Sequence, residues 1–318
     1  MKITYNPGNI SKDASELIKH AIVHDDLLMA DFGNIGGIVI DGTSPQASSK
    51  VIEIKSSKNM RRSGPLSWLM SLEDIFEYEI IDIEKVGKLL NPPKAEKVSI
   101  KDHIYNILLR FSGLAFIRIP ISPNVKYPIP HYMVEDHDGI KTIQFFSFLG
   151  AQGELVKDIR AEIIAKKGKD SVPIIGVTSL NLSGQGAATS EKEIERVIHT
   201  MGYTKYISVN AHSPYRKGSF PILDLSGLLS NKVSIAREGN LSVETLRLFY
   251  KGISNPKDTF LSKLLNPLRL NQNDKEIYEL CQFALKRLKK QYKNEDELLL
   301  NLRDYLLNIL QEINSNEL

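Results

Sequence analysis

Cysteine occurs once in the 318-residue sequence, at Cys281. No disulfide can close within the chain, and no cysteine-rich zinc site can be built. Long apolar runs are also missing: no stretch approaches the roughly 18 uninterrupted apolar residues of a membrane span. Met1 to Ile10 has neither the apolar core nor the small-residue cleavage site of a secretory leader. Together these absences lead to the expectation of a cytoplasmic protein without a membrane partner. Net charge is small, 41 Lys and Arg against 38 Asp and Glu for +3, so any basic site must be local. There is no Walker loop, internal repeat or low-complexity tract. His131, His137 and His212 lack metal-ligand spacing, and Glu135, Asp136 and Asp138 read as a solvated turn.

What is present is an ordinary globular mixture, 42% hydrophobic and 25% charged, in a chain long enough for about two domains. Leu17, Ile18, Ala21 and Ile22 recur at helical spacing, with Ser11 or Asp13 before them as a cap. Leu27 to Met29 and Ile38 to Ile40 flank Asp31-Phe-Gly-Asn-Ile-Gly-Gly37, which reads as strand, tight turn, strand. A helix carrying Val51, Ile52 and Ile54 is expected to end in a basic loop, Lys55 to Arg62. A strand (Leu66 to Met70), a helix from Leu72, a helix (Ile104 to Phe111) and a strand (Leu114 to Ile119) follow. After a Pro-rich segment come a strand (Thr142 to Phe148) and a helix (Leu155 to Lys166). The apolar run Val172 to Val177 then leads into Thr178-Ser-Leu-Asn-Leu-Ser-Gly184, ahead of a helix over Glu191 to Ile198. Such alternation implies an α/β sheet whose ligands sit beyond strand C-termini. Past residue 252 the pattern is helical, with two amphipathic helices over 275–314 bearing a basic face at Lys286, Arg287, Lys289, Lys290 and Lys293. The expected organisation is a domain over residues 1–252 and a helical extension over 253–318.

The stretch from Pro173 to Gly184 places three hydroxyls, an amide and a glycine at the end of a strand, groups that donate to phosphate oxygens without bulk. By loop chemistry alone the better reading is a polar strand-to-helix turn capped by Thr189 or Ser190. Lys55, Lys58, Arg61 and Arg62 are, on charge alone, either a solvated loop or a phosphate contact.

Three ordered segments resemble the YrdC family. Ser179-Leu-Asn-Leu-Ser-Gly184 is similar to its serine-x-asparagine-leucine-serine-glycine signature. Ser219-Phe-Pro-Ile-Leu-Asp-Leu-Ser-Gly227 with Ala236-Arg-Glu-Gly239 resembles its serine-threonine strand and arginine-glutamate-glycine turn. Ile54-Lys55 through Met70-Ser-Leu-Glu-Asp-Ile75 resembles its basic loop, strand and helix. The resemblance, over residues 14 to 250, implies a twisted open mixed sheet with flanking helices and a concave basic pocket. It also implies ATP with Mg²⁺ as ligands. By position, Lys55, Arg62 and Arg237 would be catalytic; Lys58, Ser179, Asn181, Ser183 and Ser219 would bind nucleotide; and Asp31, Gly33 and Asn34 would meet the second substrate.

Two departures shape the expected chemistry. The threonylcarbamoyl-adenylate branch has a proline-threonine-x-threonine motif where this chain has Ala30-Asp31-Phe-Gly33. Asn34-Ile-Gly-Gly37 instead resembles the glycine-rich turn of carbamoyltransferases that make carbamoyl-adenylate from carbamoyl phosphate. The implied activity is ATP-dependent formation of a carbamoyl-type adenylate from bicarbonate and an amino acid or from carbamoyl phosphate, as in tRNA modification. The product would be passed to tRNA or to a transferase partner. A diverged module that binds nucleotide or RNA without turnover is the alternative.

Overall fold

A computed structural model describes residues 1–56, 65–90, 99–137, 139–181, 186–209, 218–229, 232–250 and 253. The chain divides into two compact units, one of Met1–Ile80, Ile121–Ser213 and Lys217–Ser219, the other of Ile81–Pro120, Pro214–Arg216 and Phe220–Leu318. The expected junction near 252 and the helical extension after it lie outside the described residues, Ile253 apart.

In chain order the first unit opens with β1 (Lys2–Tyr5), α1 (Lys12–Val23), β2 (Leu28–Asp31), β3 (Gly36–Asp41), α2 (Pro45–Ser56), β4 (Ser67–Leu69) and α3 (Leu72–Glu77). The second unit contributes α4 (Ile83–Leu90), α5 (Ile100–Phe111) and β5 (Phe116–Pro120). The chain returns to the first with β6 (Val134–His137), β7 (Ile140–Phe146), α6 (Gly150–Lys167), β8 (Ile175–Ser179), α7 (Glu191–Thr200) and β9 (Tyr206–Val209). β10 (Ile222–Asp224), β11 (Ser234–Arg237) and α8 (Val243–Phe249) belong to the second.

The sheet of the first unit is mixed, in the order β1, β9, β2, β3, β8, β4, β7, with β6 paired to β7. β9 runs parallel to both β1 and β2, β3 is antiparallel to β2 and β8, and β4 is antiparallel to β8 but parallel to β7. All six residues of β3 are buried, as expected of a central strand covered on both faces. Each large apolar side chain placed there contributes about 1.5–3 kcal/mol. α6 presents Leu155, Ile159 and Ile163 at helical spacing to the core and packs on α1. Lys166 joins the two by donating to Ile22 O and Asp25, each at 2.7 Å.

Local chemistry sets the helix starts. Ser11 caps α1, and Ser71 and Ser190 each form a reciprocal capping box, with Asp74 and Glu193 respectively. In the second unit β5 pairs parallel to β10 and β10 antiparallel to β11. There α4 packs on α5, and Phe116 meets Phe220 edge to face at 6.2 Å.

The lysine expected to open the basic loop sits instead in the last turn of α2, because that helix continues to Ser56.

Candidate functional site

The site grows from the antiparallel pairing of β3 with β8, in which Gly37 lies opposite Ser179. Beyond that pair the backbone of Gly36 is bonded twice to the segment following β8. Leu180 N donates to Gly36 O at 2.8 Å, and Gly36 N donates to Ala188 O at 2.8 Å. A Cβ on Gly36 would lie 3.0 Å from Leu180 Cβ, tighter than side-chain contacts tolerate without a shift. The absence of a side chain is therefore what lets the β2–β3 turn and the loop after β8 lie against each other.

The turn itself is built by Asp31. Its Oδ1 accepts from Gly33 N at 2.8 Å and its Oδ2 accepts from the Ser208 hydroxyl at 3.1 Å. This local carboxylate–amide bond is the usual way an Asp closes its own turn. Gly33 follows with φ +89°, a conformation that glycine adopts without penalty. Phe32 stacks on Phe148 at 4.7 Å and 17°, and its carbonyl accepts from Gln152 Nε2 at 3.1 Å. These anchors fix the turn from both ends. Asp31 and Gly33 thus shape the backbone here, and Ser208, on a strand with no sequence signal for a site, completes the arrangement.

Asn34 stands apart. It is 1% exposed, and among the described residues neither Nδ2 nor Oδ1 has a hydrogen-bond partner. Each unmet buried group costs on the order of 1–3 kcal/mol. Its backbone carbonyl accepts from Gly218 N at 3.2 Å, which brings the half-buried Ser219 within one residue of the turn.

On the other side of Leu180, Lys55 reaches across from the last turn of α2. Its Nζ donates to Ser179 O at 2.5 Å, to Asn181 O at 3.2 Å and to Asn181 Oδ1. Ser179 Oγ also donates to Asn181 Oδ1, at 2.9 Å. All of these acceptors are neutral, and among the described residues no carboxylate pairs with the ammonium. Burial pulls its pKa from 10.5 down to about 8. A cation held among carbonyls, without a counter-ion, favours an arriving anion.

The structure thus brings Lys55, Ser179 and Asn181 into direct contact and ties the Asp31–Asn34 turn to the same loop. Lys58, Arg62 and Ser183 lie outside the described residues. Arg237 ends β11 in the second unit, where its Nη2 donates to Phe220 O at 2.9 Å. Neighbouring atoms desolvate that guanidinium enough to lower its pKa, although the residue as a whole is exposed. Among the described residues no cluster of three or more His, Cys, Asp or Glu side chains is arranged to hold a metal, and no helix is long and apolar enough to cross a membrane.

No family model and no curated protein matches the sequence. Solved structures do. A double-alanine variant of P. abyssi Sua5 superposes with TM-score 0.52 at 14% identity, covering 80% of this chain and 65% of that one. P. abyssi Sua5 complexed with L-threonine gives 0.50 at 14%, covering 80% and 62%. E. coli YciO gives 0.50 at 10%, covering 75% and 95%. The fold is YrdC-like. The chain spans just under two thirds of the length of the Sua5 chains it matches and aligns with nearly all of YciO. In this YrdC-like setting, residues far apart in sequence, Lys55 on α2 and Ser179 and Asn181 at the end of β8, meet through the sheet order rather than through any local motif.

Proposed function

We propose that this chain binds ATP, delivered with Mg²⁺, and forms a carbamoyl-type adenylate. The observation that carries the reading is the desolvated Lys55 ammonium, held by Ser179 and Asn181 without an anionic partner among the described residues. The YrdC-like fold shared with Sua5 and YciO supports it. In the reaction a carbamate oxygen attacks the α-phosphorus, a new P–O bond forms, and the bond to pyrophosphate breaks. The carbamate is the adduct of bicarbonate with an amino acid, with loss of water, or is released from carbamoyl phosphate by hydrolysis. The nucleophile is already an anion, so no general base is needed and alignment and charge neutralisation do the catalytic work. Lys55 would neutralise phosphate charge, with Arg62, Lys58 and Arg237 as further cations. Ser179, Asn181, Ser183 and Ser219 would bind nucleotide, and the Asp31–Asn34 turn would face the acyl substrate. The adenylate would pass to tRNA or a transferase.

A second reading has its own support. All three N–H groups of Lys55 are already donated to the β8 loop, which suits a module that holds nucleotide or RNA without turnover. Pyrophosphate release measured with MgATP, bicarbonate and a panel of amino acids, and in parallel with carbamoyl phosphate, separates the two. Turnover that disappears in Lys55→Met supports the enzyme; saturable ATP binding with no pyrophosphate released supports the module.

A further inference from the structure

A second cavity, of about 830 Å³, opens between α1, the start of β2 and the loop from Gly202 to Lys205 that leads into β9. β9 runs parallel to β2, with Asp31 beside Ser208. The residues ahead of both strands therefore lie together at this end, and the Asp31–Asn34 turn follows β2 at the other. The volume falls within the range of roughly 300–1,000 Å³ in which proteins hold small organic ligands.

The lining is divided. Ala21, Leu27 and Met29 are buried and make an apolar floor. Asp13, Glu16, Leu17 and His20 stand three and four positions apart and so share one face of α1, while Ala14, Ile18 and Ile22 enter the core. Three carboxylates line the cavity against a single lysine, Lys205, but the three are not equivalent. Asp26 Oδ1 accepts from Lys50 Nζ at 2.9 Å and from the Tyr203 hydroxyl at 2.8 Å. Burial works against its charge, yet these bonds outweigh it and hold the carboxyl below the usual range. Asp26 is thus a compensated part of the wall, and it anchors Tyr203 there. Asp13 and Glu16 are left over. No ion pair joins Asp13 among the described residues, and Glu16 reaches Lys12 only at 3.7 Å with both side chains exposed, a pair of little worth. The helix dipole accounts for a carboxylate in the first turn of α1. It accounts neither for Glu16, a turn further on, nor for the apolar floor beneath.

Free carboxylates above an apolar floor match a cation carried on an apolar body. The floor takes the hydrocarbon and the carboxylates accept from the N–H groups, while an aromatic wall at Tyr203 adds attraction for the ammonium. An anion would meet two like charges. A metal ion is poorly served, since no cluster of three or more His, Cys, Asp or Glu side chains is arranged to hold one among the described residues.

We propose that this cavity binds a small organic amine in its protonated form, with Asp13 and Glu16 receiving the ammonium and Leu27 and Met29 the apolar body. The site is separate from Lys55 and does not rest on the nucleotide reading.

The test follows backbone amide signals of the full chain by NMR during titration with phenethylamine. 2-Phenylethanol, which keeps the ring and loses the charge, 3-phenylpropionate, which reverses the charge, and methylamine, which lacks the body, are titrated in parallel. Phenethylamine should bind about tenfold or more tighter than each of the three, with shifts at Tyr203 and Lys205. The preference over the alcohol should fall to near unity in the double variant Asp13→Asn, Glu16→Gln, whose substitutions lie on exposed positions and leave the core alone. Leu17→Trp, which places bulk in the cavity, should abolish binding, and Lys55→Met should leave it unchanged. Equal affinity for the amine and the alcohol overturns the proposal, as does the absence of amine binding up to about 10 mM. A preference that survives the double variant, or that is lost in Lys55→Met, overturns it by placing the amine elsewhere. Binding of a polylysine peptide without binding of phenethylamine also overturns it and assigns this face to a basic protein segment.

Discussion

Raising the pH from 7 to 10 perturbs Lys55 in a way that an ordinary surface lysine would not feel. With its pKa drawn down to about 8 by burial, the ammonium is roughly nine-tenths protonated at pH 7, about one-tenth at pH 9 and about one-hundredth at pH 10. An anion that needs the charged form should therefore bind with a Kd that rises about tenfold between pH 7 and 9, and approaches a hundredfold by pH 10. With an ordinary lysine the affinity would hold to beyond pH 10. ADP is the suitable probe, because its last phosphate proton leaves at about pH 6 to 7 and its charge is constant over most of this range, and calorimetry in buffers of different ionisation enthalpy also reports the proton taken up on binding. Lys55→Arg supplies a charge that cannot be titrated away and should flatten the profile, while Lys55→Met should weaken binding at pH 7 and show no further loss above it. The same shift has a consequence for the free protein. Between about pH 8 and 10.5 the unfolded chain holds this proton more tightly than the folded one, so the lysine's contribution to stability rises with pH across that window. Below it the desolvated charge costs on the order of 3 kcal/mol, part of which an anion bound there would recover. An ADP affinity constant from pH 7 to 10 would refute the reasoning, because the anion would then not be meeting the Lys55 ammonium.

Three further outcomes are expected. Gly36→Ala puts a Cβ 3.0 Å from Leu180 Cβ and 3.1 Å from Ile194 Cγ1; it should cost about 1–3 kcal/mol in denaturant unfolding and weaken ADP binding as well, and an unchanged midpoint would show that the contact relaxes freely. Asp31→Ala removes the acceptor for Gly33 N and Ser208 Oγ and should lower stability by about 1 kcal/mol, whereas Asp31→Asn keeps the Oδ1 acceptor and should lose much less; equal losses would place the importance of Asp31 in its charge. Threonine should be a poor substrate for adenylate formation if the resemblance that sets Asp31 and Gly33 against the hydroxyls of the threonine-using branch holds, the Asp31 carboxylate being committed to the turn; efficient threonine-dependent pyrophosphate release, with the adenylate identified by mass spectrometry, would reverse that expectation.

Much of the layout was legible because it is written locally. The hydrophobic runs flanking Asp31 to Gly37 specified β2, the turn and β3, and Ser190 with Glu193 carried the capping signature that starts α7. β1 escaped notice: four residues of alternating exposure become a strand only by pairing with Tyr206–Val209, some 200 positions away. α4 was missed because its eight residues carry a glycine at Gly87, although Asp82 caps its start by accepting from Lys85 N at 3.0 Å. Start and end points shifted where capping or continuation overrode the apolar pattern, as at α5, which begins at Ile100 behind Ser99 rather than at Ile104. At the site, the grouping of Ser179 with Asn181 was visible in one segment. That Lys55 would spend its donors on that segment depends on the length of α2 and the order of the sheet, neither of which a motif encodes. The burial of Asn34 was invisible because an asparagine in a glycine-rich turn ordinarily faces water, and its removal from solvent depends on the tertiary fold.

Glycine meets large aliphatic side chains at three points along and just beyond the pairing of β3 with β8. Gly42 has room for no Cβ against Ile174, and Gly176 has none against Ile40, just as Gly36 has little against Leu180. Such a joint has no slack, and it behaves as a ruler: the spacing between the turn at 31–34 and the loop at 179–181 is set by backbone contact and stays put whatever side chains either one projects. Chemical change in this protein is therefore cheap at the projecting positions and expensive in the frame.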